Sequence, residues 1–366
     1  MSLKCGIVGL PNVGKSTLFN ALTQSGIPAE NYPFCTIDSN IGIVDLPDER
    51  LFKLAEIYKP QKTTPSTVEF IDIAGLVKGA SKGEGLGNQF LGQIRQASAI
   101  IHVIRCFKDT TISHINGGVN PLKDLETINT ELLLADLATL EKREMKLEKT
   151  VKFGDKESSS LLQLVKSLIR GVSDGVFARD LIIDKEFEPL KKTLHLLTDK
   201  PTLYIANIDE HDLLTEQENE YVYSLKKNDL IKNAKVLPLC GTVEQEISSL
   251  NDQEKQLFLE EYNQKEPGLN KVIRESFGLL GLHNFFTCGE EEVKAWTIPY
   301  NFTAPEAAGK IHSDFQRGFI KADVFNCNDL FRQGSEKSLR EKGLIRQEGK
   351  EYIIENGDCV FFKFNV

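Results

Sequence analysis

Residues Gly9-Leu10-Pro11-Asn12-Val13-Gly14-Lys15-Ser16 form a GxxxxGK(S/T) loop, the pattern that cradles the phosphates of a nucleoside triphosphate. Glycines at 9 and 14 let backbone N–H groups turn inward on a β-phosphate, at the positive end of the helix that follows. Lys15 is placed to bridge β- and γ-phosphates, and Ser16, ahead of Thr17, to ligate Mg²⁺. Downstream, Asp72-Ile73-Ala74-Gly75 offers a carboxylate for a magnesium-bound water and, at Gly75, an N–H for the γ-phosphate. Thr36, in Tyr32-Pro33-Phe34-Cys35-Thr36, carries a hydroxyl that completes the metal shell while the γ-phosphate is present. Gly79, Gly83, Gly85 and Gly87 crowd the segment after Gly75, which can therefore rearrange when that phosphate leaves.

Three further positions bear on the reaction and its substrate. Leu76 stands where Ras-type enzymes carry a water-orienting glutamine, and it has neither donor nor acceptor. His114, in Ile112-Ser113-His114-Ile115-Asn116-Gly117-Gly118, follows a strand whose carboxyl end faces the phosphates in this architecture, and a neutral imidazole there could accept a hydrogen bond from water, or could simply be a solvated loop residue. Asn12 could join phosphate oxygens in holding a monovalent cation such as K⁺, or could simply form the turn.

Base choice rests on Asn207-Ile208-Asp209-Glu210. GTPases place Asn-Lys-x-Asp at this point, the Asp accepting two hydrogen bonds from guanine and the Lys packing along the base. Ile208 replaces the lysine, and Glu210 carries an extra methylene, so the guanine edge is mispaired. Adenine, read by backbone groups near Ile208, is the better fit. Cys240-Gly241 would close the pocket.

Positioning these groups requires a sheet. Apolar runs at 5–8, 41–44, 68–73, 99–107, 203–206 and 236–239 alternate with helical patterns, which predicts a doubly wound, largely parallel α/β P-loop domain with its ligand at the carboxyl ends of the strands. Between 126 and 200 apolar residues recur at heptad-like spacing, at Leu133, Leu137, Leu140, Leu147 and Val151, then Leu161, Val165, Leu168 and Val172, then Leu190, Leu194 and Leu197. That pattern predicts an antiparallel coiled-coil hairpin inserted into the domain. From 279 short strand-like runs at 285–287, 293–298, 352–354 and 360–364, with one helical stretch over 304–318, predict a small α+β domain. The expected division is therefore 1–278 for nucleotide binding, including the insert at 126–200, and 279–366 for the second domain.

Composition narrows the class. The chain has 366 residues, 40% hydrophobic and 27% charged, with no apolar stretch long enough to span a bilayer and no charged-then-apolar leader before the first strand. Neither membrane insertion nor export is expected, and the cytoplasm is the default. Seven cysteines lie scattered without a CxxC pair and read as reduced thiols. A net charge of −9 argues against bulk attraction to nucleic acid. Only residues 332–350, with Arg332, Lys337, Arg340, Lys342, Arg346 and Lys350, offer a local basic patch, and a solvated helix would look the same.

The run Gly6 to Thr17, Asp72-Ile73-Ala74-Gly75-Leu76 with its glycines, and Asn207-x-x-Glu210 together resemble the YchF family of Obg-like ATPases, over essentially the whole chain. Thr297-Ile298, Ala307-Ala308-Gly309-Lys310-Ile311-His312 and Gly318-Phe319-Ile320-Lys321-Ala322 resemble the TGS domain, a β-grasp fold found in RNA- and ribosome-associated proteins. The resemblance implies a coiled-coil insertion, nucleotide binding by residues 12–17, Mg²⁺ ligation by Ser16 and Thr36, and an ATPase that associates with the ribosome as 50S subunit and 70S particle. Two other readings stay open: a GTP-specific switch of the Obg class, and a ribosome- or RNA-binding module that does not need hydrolysis.

Overall fold

The computed structural model describes residues 4–24, 40–73, 86–109, 111, 118–151, 156–215, 217–231 and 233–365. The strands are β1 (Lys4–Val8), β2 (Ile41–Asp45), β3 (Lys62–Thr64), β4 (Thr67–Asp72), β5 (Ala99–Arg105), β6 (Thr202–Asn207), β7 (Val236–Leu239), β8 (Leu282–Cys288), β9 (Glu292–Pro299), β10 (Phe319–Asn326), β11 (Arg346–Glu348) and β12 (Asp358–Phe364). The chain divides into two compact units, Met1–Ile43 with Glu69–Leu269, and Val44–Val68 with Asn270–Val366. This division differs from the contiguous 1–278 and 279–366 read from the sequence. The segment Val44–Val68 leaves the first unit because its helix, Glu49–Tyr58, buries Leu51 and Leu54 among Phe286, Val293, Phe325 and Leu339 of the second.

The first unit is built on the sheet β2-β4-β1-β5-β6-β7. β1 pairs in parallel with β4 and β5, β5 with β6, and β6 with β7. Every residue of β5 and of β6 is buried, as expected of strands covered on both faces, and this is why their apolar runs are continuous rather than alternating. β1 lies between β4 and β5, so the chain moves to opposite sides of it, and the loop that follows β1 sits at that switch point. The six strands expected of the nucleotide domain are all present.

Helix Pro121–Val151 opens the insert and Lys156–Ser173 returns. Leu140, Leu147, Leu161, Leu164, Val165, Leu168 and Val172 form one core between them, and Lys166 Nζ reaches Glu148 Oε1 at 3.0 Å. The heptad spacing at 190–197 does not continue a helical arm. There the chain forms only the short helix Glu188–Lys192, and Leu194 and Leu196 join the same core from irregular backbone. The base of the insert is held by Asp136, fully buried, which accepts from Leu197 N and Thr198 N at 2.8 Å each and from Thr198 Oγ1 at 2.7 Å.

The second unit has the mixed sheet β11-β10-β12-β8-β9-β3. β10 is antiparallel to β11 and β12, β8 antiparallel to β9, and β12 parallel to β8. At its edge β3, a polar strand of three residues, runs parallel to β9 with Thr63 opposite Val293. The run expected at 352–354 contributes only an isolated bridge between Ile353 and Thr303. The helical stretch expected over 304–318 is two helices, Ala304–Ile311 and Ser313–Arg317. His312 between them is extended, and its ring accepts from Asp314 N to start the second.

Candidate phosphate and base site

The phosphate loop depends on two left-handed residues. Asn12 has φ 62° and Gly14 φ 100°. At Gly14 a Cβ would lie 2.3 Å from Asn207 Nδ2, so both the backbone and the neighbour exclude a side chain. At Gly9 a Cβ would lie 2.6 Å from the backbone oxygen of Val103. The φ of Asn12 fits its turn-forming role, which asparagine tolerates better than most residues.

Lys15 begins the helix Lys15–Gln24, and its Nζ donates to Leu10 O at 2.8 Å, which closes the loop on itself. Burial lowers the Lys15 pKa, while the nearby Asp72 charge opposes the shift. Ser16 Oγ donates to Asp72 Oδ2 at 3.3 Å, so the two residues expected near a divalent cation are brought together from β4 and the loop. Burial raises the Asp72 pKa against the opposing effects of Ser16 and Lys15. Asp72 Oδ1 is buried without a hydrogen-bond partner among the described residues. An orphaned carboxylate oxygen beside a serine hydroxyl is what an Mg²⁺-bound water would satisfy, and these residues fit the ion. Thr36, Gly75, Leu76 and His114 lie outside the described residues.

The base side of the site is a cleft of 380 Å³ lined by Asn12, Gly14, Phe107, Ile208, Glu210 and Cys240 among others. Asn207 holds its floor to the phosphate loop. Its Nδ2 donates to Val13 O at 2.9 Å, and its Oδ1 accepts from Gly241 N at 3.0 Å, so one buried amide ties the end of β6 to the phosphate loop and to the start of helix Gly241–Ser249. The structure thus gives Asn207 a positioning contact on both sides. Ile208 is 5% exposed and packs in a core cluster with Ile104, Tyr204 and Val243. Its N–H donates to Leu239 O at 2.9 Å, so this one of the backbone groups near the base is engaged by the end of β7. Glu210 starts the short helix Glu210–Leu214, which Asp209 caps through His211 N. The Glu210 carboxylate accepts a hydrogen bond from the hydroxyl of Tyr262.

Two contributors were not apparent from the sequence. Arg105, at the end of β5 and 1% exposed, lies over the Phe107 ring at 4.5 Å and donates to Phe107 O at 3.2 Å and Asp109 O at 2.9 Å. It braces the loop that forms one wall of the cleft. Tyr262 holds Glu210, a residue of the cleft lining, and no local pattern ties a tyrosine at 262 to a carboxylate at 210.

A family model described as a 50S ribosome-binding GTPase matches residues 4–136, and the YchF-GTPase_C model, described as a protein of unknown function, matches residues 282–365. The chain is 50% identical over 366 residues to the protein of Bacillus subtilis (strain 168) named ribosome-binding ATPase YchF, with 100% of both chains covered. The protein of the same name from Escherichia coli O157:H7 is also 50% identical over 366 residues, again with 100% of both covered. A solved structure of the Schizosaccharomyces pombe YchF GTPase superposes with a TM-score of 0.88 at 36% identity, covering 99% of this chain and 98% of that one.

Proposed function

The chain belongs to the YchF family, and we propose that it is a Mg²⁺-dependent ATPase that cleaves ATP to ADP and phosphate as a slow switch acting on ribosomes, in the 50S subunit and the 70S particle. The observation that carries the choice of ATP is the base cleft: the position of a guanine-reading lysine holds Ile208, packed into the core, and Glu210 is bound to Tyr262. Relatives named ribosome-binding ATPase, matched along the full chain, support the partner.

In this reading the N–H groups of residues 12–17 receive the phosphates, and Lys15 Nζ leaves Leu10 O for the β- and γ-phosphates. Ser16 and Asp72, with Thr36, would hold a Mg²⁺ ion, whose chemistry when bound would be to offset negative charge on the phosphates. Gly75 donates to the γ-phosphate, and His114 takes the place of the missing glutamine toward the attacking water. Asn12 is the candidate for a K⁺ partner. The C-terminal residues, read as a TGS-type β-grasp domain, are the candidate RNA contact through 332–350, and 126–200 is read as the coiled-coil insert. The setting is read as cytoplasmic.

A GTP-specific switch is the competing reading, favoured by the wording of the 4–136 model and of the S. pombe structure. Side-by-side titration of the purified protein with ADP and GDP separates them: tighter GDP binding refutes the ATP reading. Co-sedimentation with ribosomes, with ATP, with ADP and without nucleotide, tests the partner, and equal pelleting in all three refutes a nucleotide switch. Full co-sedimentation of a Lys15→Ala variant that has lost hydrolysis would instead favour a binding module.

A further inference from the structure

The carboxylate that decides between purines is itself held. Tyr262 follows the helix Asp252–Glu261 at its C-terminal cap, stacks on Phe258 with ring centroids 4.9 Å apart, and is packed into the same core cluster as Ile208 and Cys240. From that fixed ring its hydroxyl donates to Glu210 Oε1. Glu210 lines the cleft, and its helix start is separately fixed by the Asp209 cap with Asp212. The backbone and the tip of this side chain are therefore both anchored.

A purine meets such a group through what it can donate. Guanine presents two donors side by side, its ring N1–H and its exocyclic amine, and both must be accepted by a carboxylate with two available oxygens. Adenine presents one amine and a ring nitrogen that only accepts. Each carboxylate oxygen has a second lone pair, so the phenol does not use up an acceptor; what it fixes is the rotation of the carboxylate, which can still meet a single amine but cannot turn both oxygens onto guanine's paired donors. An unpaired buried donor is what makes a polar pocket selective.

We propose that Tyr262 is a positioning residue for base choice, and that its hydrogen bond to Glu210 fixes the carboxylate's orientation and so disfavours the two-oxygen contact that guanine needs. This rests on the ATP reading above, but the two can fail separately. Burial of the ring is unaltered by Tyr262→Phe, which removes only the hydroxyl, so the core cluster and the Phe258 stack are kept.

The test is the ratio of ADP to GDP dissociation constants, read for the full chain by titration, with thermal melts as a check on folding. Tyr262→Phe should shift the ratio toward GDP by roughly tenfold, the scale of one hydrogen bond to a charged group. In a Glu210→Ala background the same substitution should leave the ratio unchanged, because its effect passes through the carboxylate. An unchanged ratio in the folded Tyr262→Phe variant overturns the proposal, as does an equal shift with Glu210 absent. A wild type that prefers GDP would refute the ATP reading alone, and the shift on removing the hydroxyl would still report whether Tyr262 governs the choice.

Discussion

Replacing Asn207 by alanine removes a side chain that joins the phosphate loop to the base cleft. Its two hydrogen bonds, to Val13 O at 2.9 Å and from Gly241 N at 3.0 Å, would both be lost, leaving a carbonyl and an N–H in a region where Asn207 itself is 7% exposed. An orphaned buried polar group costs about 1–3 kcal/mol, so the pair sets a loss of about 2–4 kcal/mol once water relieves part of it. Asn207→Asp is the informative partner. It keeps an acceptor for Gly241 N but sets a buried carboxylate oxygen against Val13 O, so near neutral pH it should cost at least as much stability as alanine while loosening the phosphate loop just as much. Denaturant unfolding should report both variants below the wild type, with Asp no more stable than Ala, as shifts in midpoint at constant slope. ADP titration should show both variants weakened by on the order of tenfold, since 1.4 kcal/mol is one decade. An alanine variant with a wild-type midpoint and wild-type ADP affinity would refute the view that this amide holds the loop.

His114→Ala should lower kcat by roughly 10²-fold with ATP affinity little changed, because a group that assists the attacking water acts in the transition state; single-turnover rates and titration check it, and joint loss of binding and turnover would speak against the role. If Asn12 helps to hold a monovalent cation, exchanging Na⁺ for K⁺ should speed wild-type turnover and leave Asn12→Ala indifferent; equal rates for the wild type in both salts would return Asn12 to its turn. In the second unit, burial pushes the Asp48 carboxyl up, but hydrogen bonds and charge from Arg50 at 2.7 and 2.8 Å prevail and hold it below the usual range. A lowered carboxylate pKa stabilises the fold above the unfolded-state value and loses that contribution as pH falls through the folded one. Asp48→Asn should therefore depress Tm near neutral pH, with the gap to wild type closing in acid; a gap independent of pH would count against the ion pair.

The parallel sheet was legible because buried strands leave a clear trace: β5 and β6 are buried from end to end and mostly apolar, and helices at the right spacing separate them from β1 and β7. The phosphate loop was legible because its geometry demands particular residues at Asn12 and Gly14. What escaped were features set by distant partners. β3 is Lys62–Thr64, three polar residues whose only reason to be a strand is the edge of β9, more than two hundred positions later. The same holds for Arg105 and Tyr262, whose roles depend on where Phe107 and Glu210 arrive in space. At 190–197 the heptad spacing misled because leucines from irregular backbone can fill the same core as leucines from a helix. Ile208 lines the cleft and is at the same time packed into the core cluster beneath it, a double placement that local sequence does not show.

The excursion of Val44–Val68 into the second unit has a consequence for how the chain is made. Leu51 and Leu54 are 1% and 0% exposed in the finished protein, yet their neighbours Phe286, Val293 and Leu339 lie far toward the C-terminus. At about 5–20 residues per second, a nascent chain that has extended Leu54 waits about 10–50 s for Val293 to be synthesised. Over that interval an amphipathic helix with an uncovered apolar face, and a strand with nothing to pair with, project from the midst of a nucleotide domain whose own sheet can already close around them. The second unit cannot begin to assemble until synthesis is nearly over. A chain released early, after Leu269 for instance, would therefore carry a permanent apolar flap rather than a free-standing nucleotide-binding protein.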